Sequence, residues 1–355
     1  MDKAGYEFLK QLIDVPSPSG YEEEASRLWR EWVGKFVDKV YSDVHGNSFG
    51  VLKPDSEYRV MLAGHIDEIG YMINYIDNNG FLYFRPIGGF DRHIVPGHRV
   101  WIRTRKGKLL GVIGKKPTHL LEKEEREKVL KFENMWIDIG AKDKKEAESL
   151  VRVGDIAVPA YGLEELNDKV MVARGFDDKI GAFVVAETLR LLADQKANLK
   201  VAVYGVATVQ EEIGLRGAHT SAYRVNPNVG IAIDVGFASD TPDIDKKLTG
   251  EVKLGGGPII SRGANINPKI FDMLVATAEE NNIPYQLVGA PRGTGTDANI
   301  IQLTRAGVAT GLISIPNRYM HTPVELIHKD DVDNAARLLA KFILKLDESI
   351  DFTIT

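Results

Sequence analysis

The texture of apolar and polar positions changes along this chain. Near the start, Phe8, Leu9, Leu12 and Ile13 recur at helical spacing and Pro16 ends the run. After a Ser-Pro-Ser-Gly turn, Ala25, Leu28, Trp29, Trp32, Val33 and Phe36 mark one face of a second helix. Apolar runs at Val51-Leu52 and at 59–63 read as strands, the second running into Gly64-His65. From about Tyr71 to Asp168, short β-like runs are broken by turns at Asp77-Asn78-Asn79-Gly80, Gly88-Gly89 and Pro96-Gly97. The runs at 100–104 and 109–113 flank Arg105-Lys106-Gly107-Lys108, the pattern of a hairpin. The charged stretch 122–128 reads as a solvated helix or loop. Long strands do not alternate with long helices here, so this region is expected to be a small, mostly β module.

After Met171 the texture becomes α/β. Ile180, Phe183, Val184 and Leu191 mark a helix, and 201–206 and 229–233 are continuous apolar runs of the kind found in strands covered on both faces. Ile270, Leu274 and Ala278 suggest another helix and 308–315 a further strand. Val332, Ala335, Ala336, Leu339, Phe342, Ile343 and Leu346 form a closing helical stripe. The simplest arrangement is one α/β domain made from both ends, 1–70 and 169–355, with the β-rich module 71–168 inserted between them.

Composition narrows the chemistry. The chain has 355 residues, 44% hydrophobic and 27% charged, with a net charge of −5, which argues against a nucleic-acid binder. It has no cysteine, so disulfides, zinc–thiolate sites and a cysteine nucleophile are excluded. Any metal must be held by His, Asp and Glu. The first residues are charged and lack the apolar stretch of a signal peptide, and no apolar run approaches the ~20 residues needed to span a bilayer. The expected location is the cytoplasm, with no membrane partner.

Candidate chemistry sits where polar groups follow apolar strands. Gly64-His65-Ile66-Asp67, Gln210-Glu211-Glu212 and Asp234 each come at or just after such a strand, where ligands bind in open α/β sheets. Asp177-Asp178 begins a helix, and His321 follows the 308–315 strand. Each has a plain alternative. Either aspartate could cap the helix, His65 could be a hydrogen-bonded core histidine, and Glu211-Glu212 could be a solvated turn. Taken together, several buried ionised groups would repel one another and carry a large desolvation cost unless metals bound them. A dinuclear site of His and carboxylates is the simplest explanation. Glu211 and Glu212 are adjacent, so one could bind metal while the other stays free as a base. Asp67 is close enough in sequence to orient the His65 imidazole.

The chain resembles the co-catalytic metallopeptidase family of the archaeal TET aminopeptidases and the bacterial glutamyl and deblocking aminopeptidases. The matching segments are His65-Ile66-Asp67-Glu68-Ile69-Gly70, Phe176-Asp177-Asp178-Lys179-Ile180-Gly181, Gln210-Glu211-Glu212-Ile213-Gly214, Ile233-Asp234-Val235-Gly236, Gly295-Thr296-Asp297-Ala298 and Arg318-Tyr319-Met320-His321-Thr322. Gly111-Val112-Ile113-Gly114-Lys115-Lys116-Pro117-Thr118-His119 looks like the family's inserted domain. The resemblance implies a mixed-sheet, three-layer α/β catalytic domain with a small PDZ-like β insert used for dimerisation. It implies two divalent ions per subunit, Zn2+ or Co2+. His65, Asp177 and Asp234 would hold one, and Asp177, Glu212 and His321 the other. Glu211 would be the general base toward a metal-activated water, Asp67 would orient His65, and the Asp177-Asp178 peptide would be cis. The implied activity is removal of N-terminal residues from peptides, in a homo-oligomer built of dimers, with a tetrahedral dodecamer expected. The alternatives are a metal-dependent deacylase of amino-acid derivatives and a non-catalytic scaffold of the same fold. Arg262 and Arg292 sit in glycine-rich segments read as loops near the pocket, and could favour an acidic substrate residue or be merely structural.

Overall fold

The apolar runs lie side by side at the centre of an eight-stranded sheet. Across it the order is Lys39–Ser42, Ser48–Leu52, Ala202–Thr208, Arg59–His65, Val229–Phe237, Ala309–Asn317, Ile259–Gly263 and Gln286–Ala290. This computed structural model describes residues 1–354, with Glu125 described by its backbone alone. The strands Ala202–Thr208, Arg59–His65, Val229–Phe237 and Ala309–Asn317 are mutually parallel, so their carboxyl ends open on one edge. Antiparallel pairs on either side make the sheet mixed.

Side chains alternate across a strand, and the strand Arg59–His65 shows the consequence. Val60 and Leu62 join the core under the helices Lys3–Asp14, Glu23–Val33, Phe176–Ala193, Pro268–Glu280 and Lys329–Leu344. Met61 and Ala63 join a second core, on the opposite face, under the helices Arg216–Val225 and Ala298–Ile301. Near its end the strand meets the helix Phe176–Ala193 backbone to backbone. A Cβ added at Gly64 would stand 2.4 Å from the Gly181 carbonyl carbon, so Gly64 is there to let the two elements touch.

Six strands outside that sheet form a second unit with its own core. Gly70–Ile76, Leu82–Ile87, Arg99–Thr104, Gly107–Lys115, Met135–Asp138 and Ile156–Pro159 close into a barrel around Tyr71, Phe84, Val100, Ile102 and Ile137. The expected hairpin is present but tighter: Thr104 pairs with Gly107, which leaves Arg105-Lys106 as the turn and puts Gly107 at a φ of +110°. The charged stretch contains a short exposed helix, Lys123–Arg126.

Other elements were not expected. Glu164–Glu165, Val170–Ala173 and Glu325–His328 form a small separate sheet. Arg262-Gly263, read as loop, is the end of the strand Ile259–Gly263, whose apolar start is too short to stand out by pattern. Among the described residues no helix is long and apolar enough to cross a membrane.

Candidate metal centre

The parallel strands deliver their chemistry to the shared edge. His65 is the last residue of its strand, Asp234 lies inside Val229–Phe237, and Glu211-Glu212 follow Ala202–Thr208. Asp177 lies just ahead of the regular turns of the helix that follows, with φ −77° and ψ 105°, and its peptide bond to Asp178 is cis. His321 follows Ala309–Asn317 and has a φ of +61°, a strained conformation for a residue with a Cβ. Its N–H donates to Glu325 Oε1 at 3.0 Å, which holds it there.

The side chains converge. His65 Nε2 is 3.2 Å from Asp177 Oδ1, 3.7 Å from Glu211 Oε2 and 4.0 Å from Asp234 Oδ1. His321 Nε2 is 3.1 Å from Asp177 Oδ2 and 3.5 Å from Glu212 Oε2. Asp177 thus turns one oxygen toward each imidazole. His65, Asp177, Glu211 and Asp234 are all buried. Glu212 Oε1 is buried with no hydrogen-bond partner among the described residues. Ligating atoms of His65, Asp177 and Glu212 gather within 4.8 Å of one another, as do those of His65, Asp178 and Asp234. Asp178 is the weaker candidate, because its oxygens already accept the N–H groups of His65 and Gly181, at 3.1 and 3.0 Å. It thereby acts as the helix cap that the sequence allowed.

Asp67 holds the cluster from behind. Its carboxylate accepts the N–H groups of Glu211 and Glu212 at 3.0 and 3.2 Å and the Ser19 hydroxyl at 2.7 Å. It lies 3.5 Å from His65 Nδ1, which also meets the Asp67 carbonyl at 3.2 Å.

Electrostatics reflect an excess of anions. Burial pushes the Glu211 carboxyl up to about 9, with His65 opposing and Asp234 and Asp297 adding to the rise. Burial likewise raises Asp234 to about 8 and raises Glu212 well above the carboxylate range, Asp177 adding to each. Asp177 moves the other way: burial opposes its ionisation, but His321 and His65 outweigh burial and hold it low. Burial also works against a charged His65, yet Glu211, Asp177 and Asp67 together keep its pKa well above the usual value. Carboxylates driven toward neutrality beside imidazoles driven toward charge mark a place that lacks positive charge. The donors are imidazole nitrogen and carboxylate oxygen, a set that suits divalent metal cations. The residues present therefore fit divalent metal binding.

A family model described as M42 glutamyl aminopeptidase matches residues 46–338. The chain belongs to the M42 aminopeptidase family. It is 38% identical over 351 residues to the lysyl aminopeptidase of Pyrococcus furiosus, covering 98% of this chain and 99% of that one. It is similar in structure to the TET aminopeptidase of the marine sediment archaeon Thaumarchaeota archaeon SCGC AB-539-E09, with a TM-score of 0.93, 36% identity, and coverage of 98% of this chain and 97% of that one. The TET1 peptidase of Pyrococcus horikoshii, which can assemble into a tetrahedron or a large octahedral shell, gives a TM-score of 0.86 at 34% identity over 96% of this chain and 100% of that one. As an M42 family member the chain is an aminopeptidase, and so a peptide hydrolase.

Several residues that shape this M42 site went unassigned in the sequence. Glu325 accepts the N–H groups of both Asp177, at 2.9 Å, and His321. Asp297 accepts the Thr208 hydroxyl at 2.5 Å and adds to the rise of the Glu211 carboxyl. Glu22 accepts the N–H groups of Gly20 and Gln210, at 2.7 and 3.1 Å. None directly follows a long apolar run, the feature that marks His65, Glu211, Glu212 and Asp234 in the sequence. Arg262 and Arg292, in contrast, do not line the cavity over the cluster.

Proposed function

We propose that the enzyme removes single residues from the free N-termini of peptides using two divalent ions, one held by His65, Asp177 and Asp234 and the other by Asp177, Glu212 and His321. The observation that carries this reading is the Asp177 carboxylate, buried between the two imidazoles with one oxygen facing each. When bound, the ions would supply Lewis-acid polarisation of the scissile carbonyl and make a water molecule acidic enough to serve as nucleophile near neutral pH.

The chain's own groups do the rest. Glu211 lines the cavity beside the cluster and takes the proton of the attacking water, then returns it to the leaving amine. Asp67 positions His65 and, through two N–H groups, keeps Glu211 and Glu212 turned to their separate tasks. Glu325 does the same for Asp177 and His321. The substrate's free amino group meets the anionic side of this cluster, which accounts for action at chain ends. The chain divides at 1–70, 71–168 and 169–355, and the barrel, as a PDZ-like insert, serves dimerisation. Assembly of such dimers into a tetrahedral particle is supported by the likeness to the Pyrococcus horikoshii peptidase.

The test is hydrolysis of short peptides with free or acetylated N-termini by chelated enzyme, with Zn2+ or Co2+ added back. Release of single residues from free termini alone, restored by metal, is expected. Turnover of the acetylated peptides instead would replace this reading with the deacylase.

A further inference from the structure

The cavity over the cluster has a volume of about 700 Å³, and one of its walls is the sheet itself. Alternate residues of a strand share a face, and the pairing registers carry the face of Asp234 outward. Asp234 pairs with Ser314, Ser314 with Ile259, and Ser261 with Val288. Ser314, Leu312, Ile259, Ser261, Val288 and Ala290 thus form a floor that starts beside a cluster carboxylate and runs to the sheet edge, and all of them line the cavity. None is charged, and among the described residues every ionisable side chain lining the cavity belongs to the His and carboxylate cluster. Arg262, next to Ser261, alternates to the other face, where its guanidinium lies 5.8 Å over the Phe271 ring. A shift of one residue would have put that charge into the cavity.

We infer that the side chain of the departing residue is received on this floor, and that the enzyme selects N-terminal residues with uncharged, apolar side chains over acidic and basic ones. This rests on the aminopeptidase reading of the cluster. A charged side chain laid on the floor gives up its hydration without gaining a counter-ion. An apolar one exchanges water for contact with Ile259, Val288 and Leu312. The small hydroxyls of Ser261 and Ser314 leave depth for a residue of leucine or methionine size.

The experiment is kcat/KM for chromogenic aminoacyl substrates carrying Leu, Met, Ala, Glu and Lys, on the metal-loaded enzyme as purified. Leu and Met are expected to exceed Glu and Lys, and to exceed Ala, by ~10-fold or more, the scale set by one or two methylenes in an apolar pocket. Ser261→Lys should raise the Glu-to-Leu ratio by ~10-fold or more, and Ser261→Asp the Lys-to-Leu ratio, by supplying the missing counter-charge. A wild-type preference for Glu or Lys would overturn the inference and leave the aminopeptidase reading standing. A folded Ser261→Lys enzyme that cleaves the Leu substrate with an unchanged Glu-to-Leu ratio would also overturn it. Failure of the metal-loaded enzyme to cleave any free-amino substrate would instead remove the reading beneath it. If the Ser261 variants do not fold, the wild-type ratios decide.

Discussion

Asp67 and Glu68 are neighbours, as are Asp178 and Lys179, and all of these side chains are buried. They nevertheless belong to two groups of charges with different balances. Behind the site, Glu68 accepts Arg174 Nη1 at 2.6 Å, Lys179 Nζ at 2.7 Å and the Ser17 N–H at 3.0 Å, while Lys179 also donates to the Val15 carbonyl at 2.7 Å. Burial opposes the Glu68 charge, but the two cations outweigh it and hold the carboxyl below its usual range. In front, burial drives Glu211, Glu212 and Asp234 upward, and among the described residues no Lys or Arg lines the cavity to answer them. Both groups are desolvated. In one the protein's own cations outnumber the carboxylate, and the group ties the chain start to the strand end and the helix. The other is left needing cations from outside. Burial alone therefore does not distinguish a structural ion pair from a functional site; the balance of charge does.

The largest expected effect that would sharpen this contrast is on turnover. Glu211→Gln should lower kcat by ~10²–10⁴-fold while metal content and melting temperature stay close to wild type. Near-normal turnover with both metals retained would remove Glu211 from the role of base. Next is Glu68→Gln, which strands Arg174 and Lys179 without their carboxylate and should cost about 3–5 kcal/mol of stability, seen as a lowered denaturation midpoint. A variant that melted like wild type but lost its metals would show that the two groups are not separate after all.

The smallest effect concerns Glu22, which accepts the N–H groups of Gly20 and Gln210 beside Asp67 and forms no ion pair among the described residues. Burial, with Asp67 adding, pushes its carboxyl up to about 7 from an ordinary 4.5. Across that window the folded protein binds more protons than the unfolded chain. Stability from Glu22 is therefore complete below the unfolded value and lost as pH rises through the folded one. Glu22→Gln keeps the oxygen that accepts the N–H groups of Gly20 and Gln210 and removes the charge. In chelated protein it should raise stability at pH 8 by on the order of 1–3 kcal/mol, with little change at pH 4.5. Thermal melts at the two pH values decide, and an equal shift at both would assign the effect to packing rather than charge.

Much of this was legible in the sequence because the signals are local. Runs such as 201–206 and 229–233 are apolar throughout, since both faces of the central strands are covered. His65, Glu211, Glu212 and Asp234 announced themselves by standing at or after such runs, and Asp177 and His321 by the segments around them. The strand Ile259–Gly263, second from the sheet edge, and the small sheet containing Glu325–His328 were not legible, because short strands carry too few residues for a period to emerge. The same brevity hid Glu325, whose partners Asp177 and His321 are distant or bent toward it by a left-handed backbone.

By itself the sequence determined the chemical alphabet of this protein. With no cysteine, only His and carboxylates could bind metal, and the order of apolar runs specified which residues would stand at strand ends. Tertiary structure decided how those residues are shared out. Only the folded chain pairs Glu68 with Arg174 and Lys179 while leaving Asp234, Glu211 and Glu212 to one another, because that depends on contacts across more than a hundred residues. Only strand register put Ser261 on the cavity floor and turned Arg262 away, since a period of two places neighbours on opposite faces.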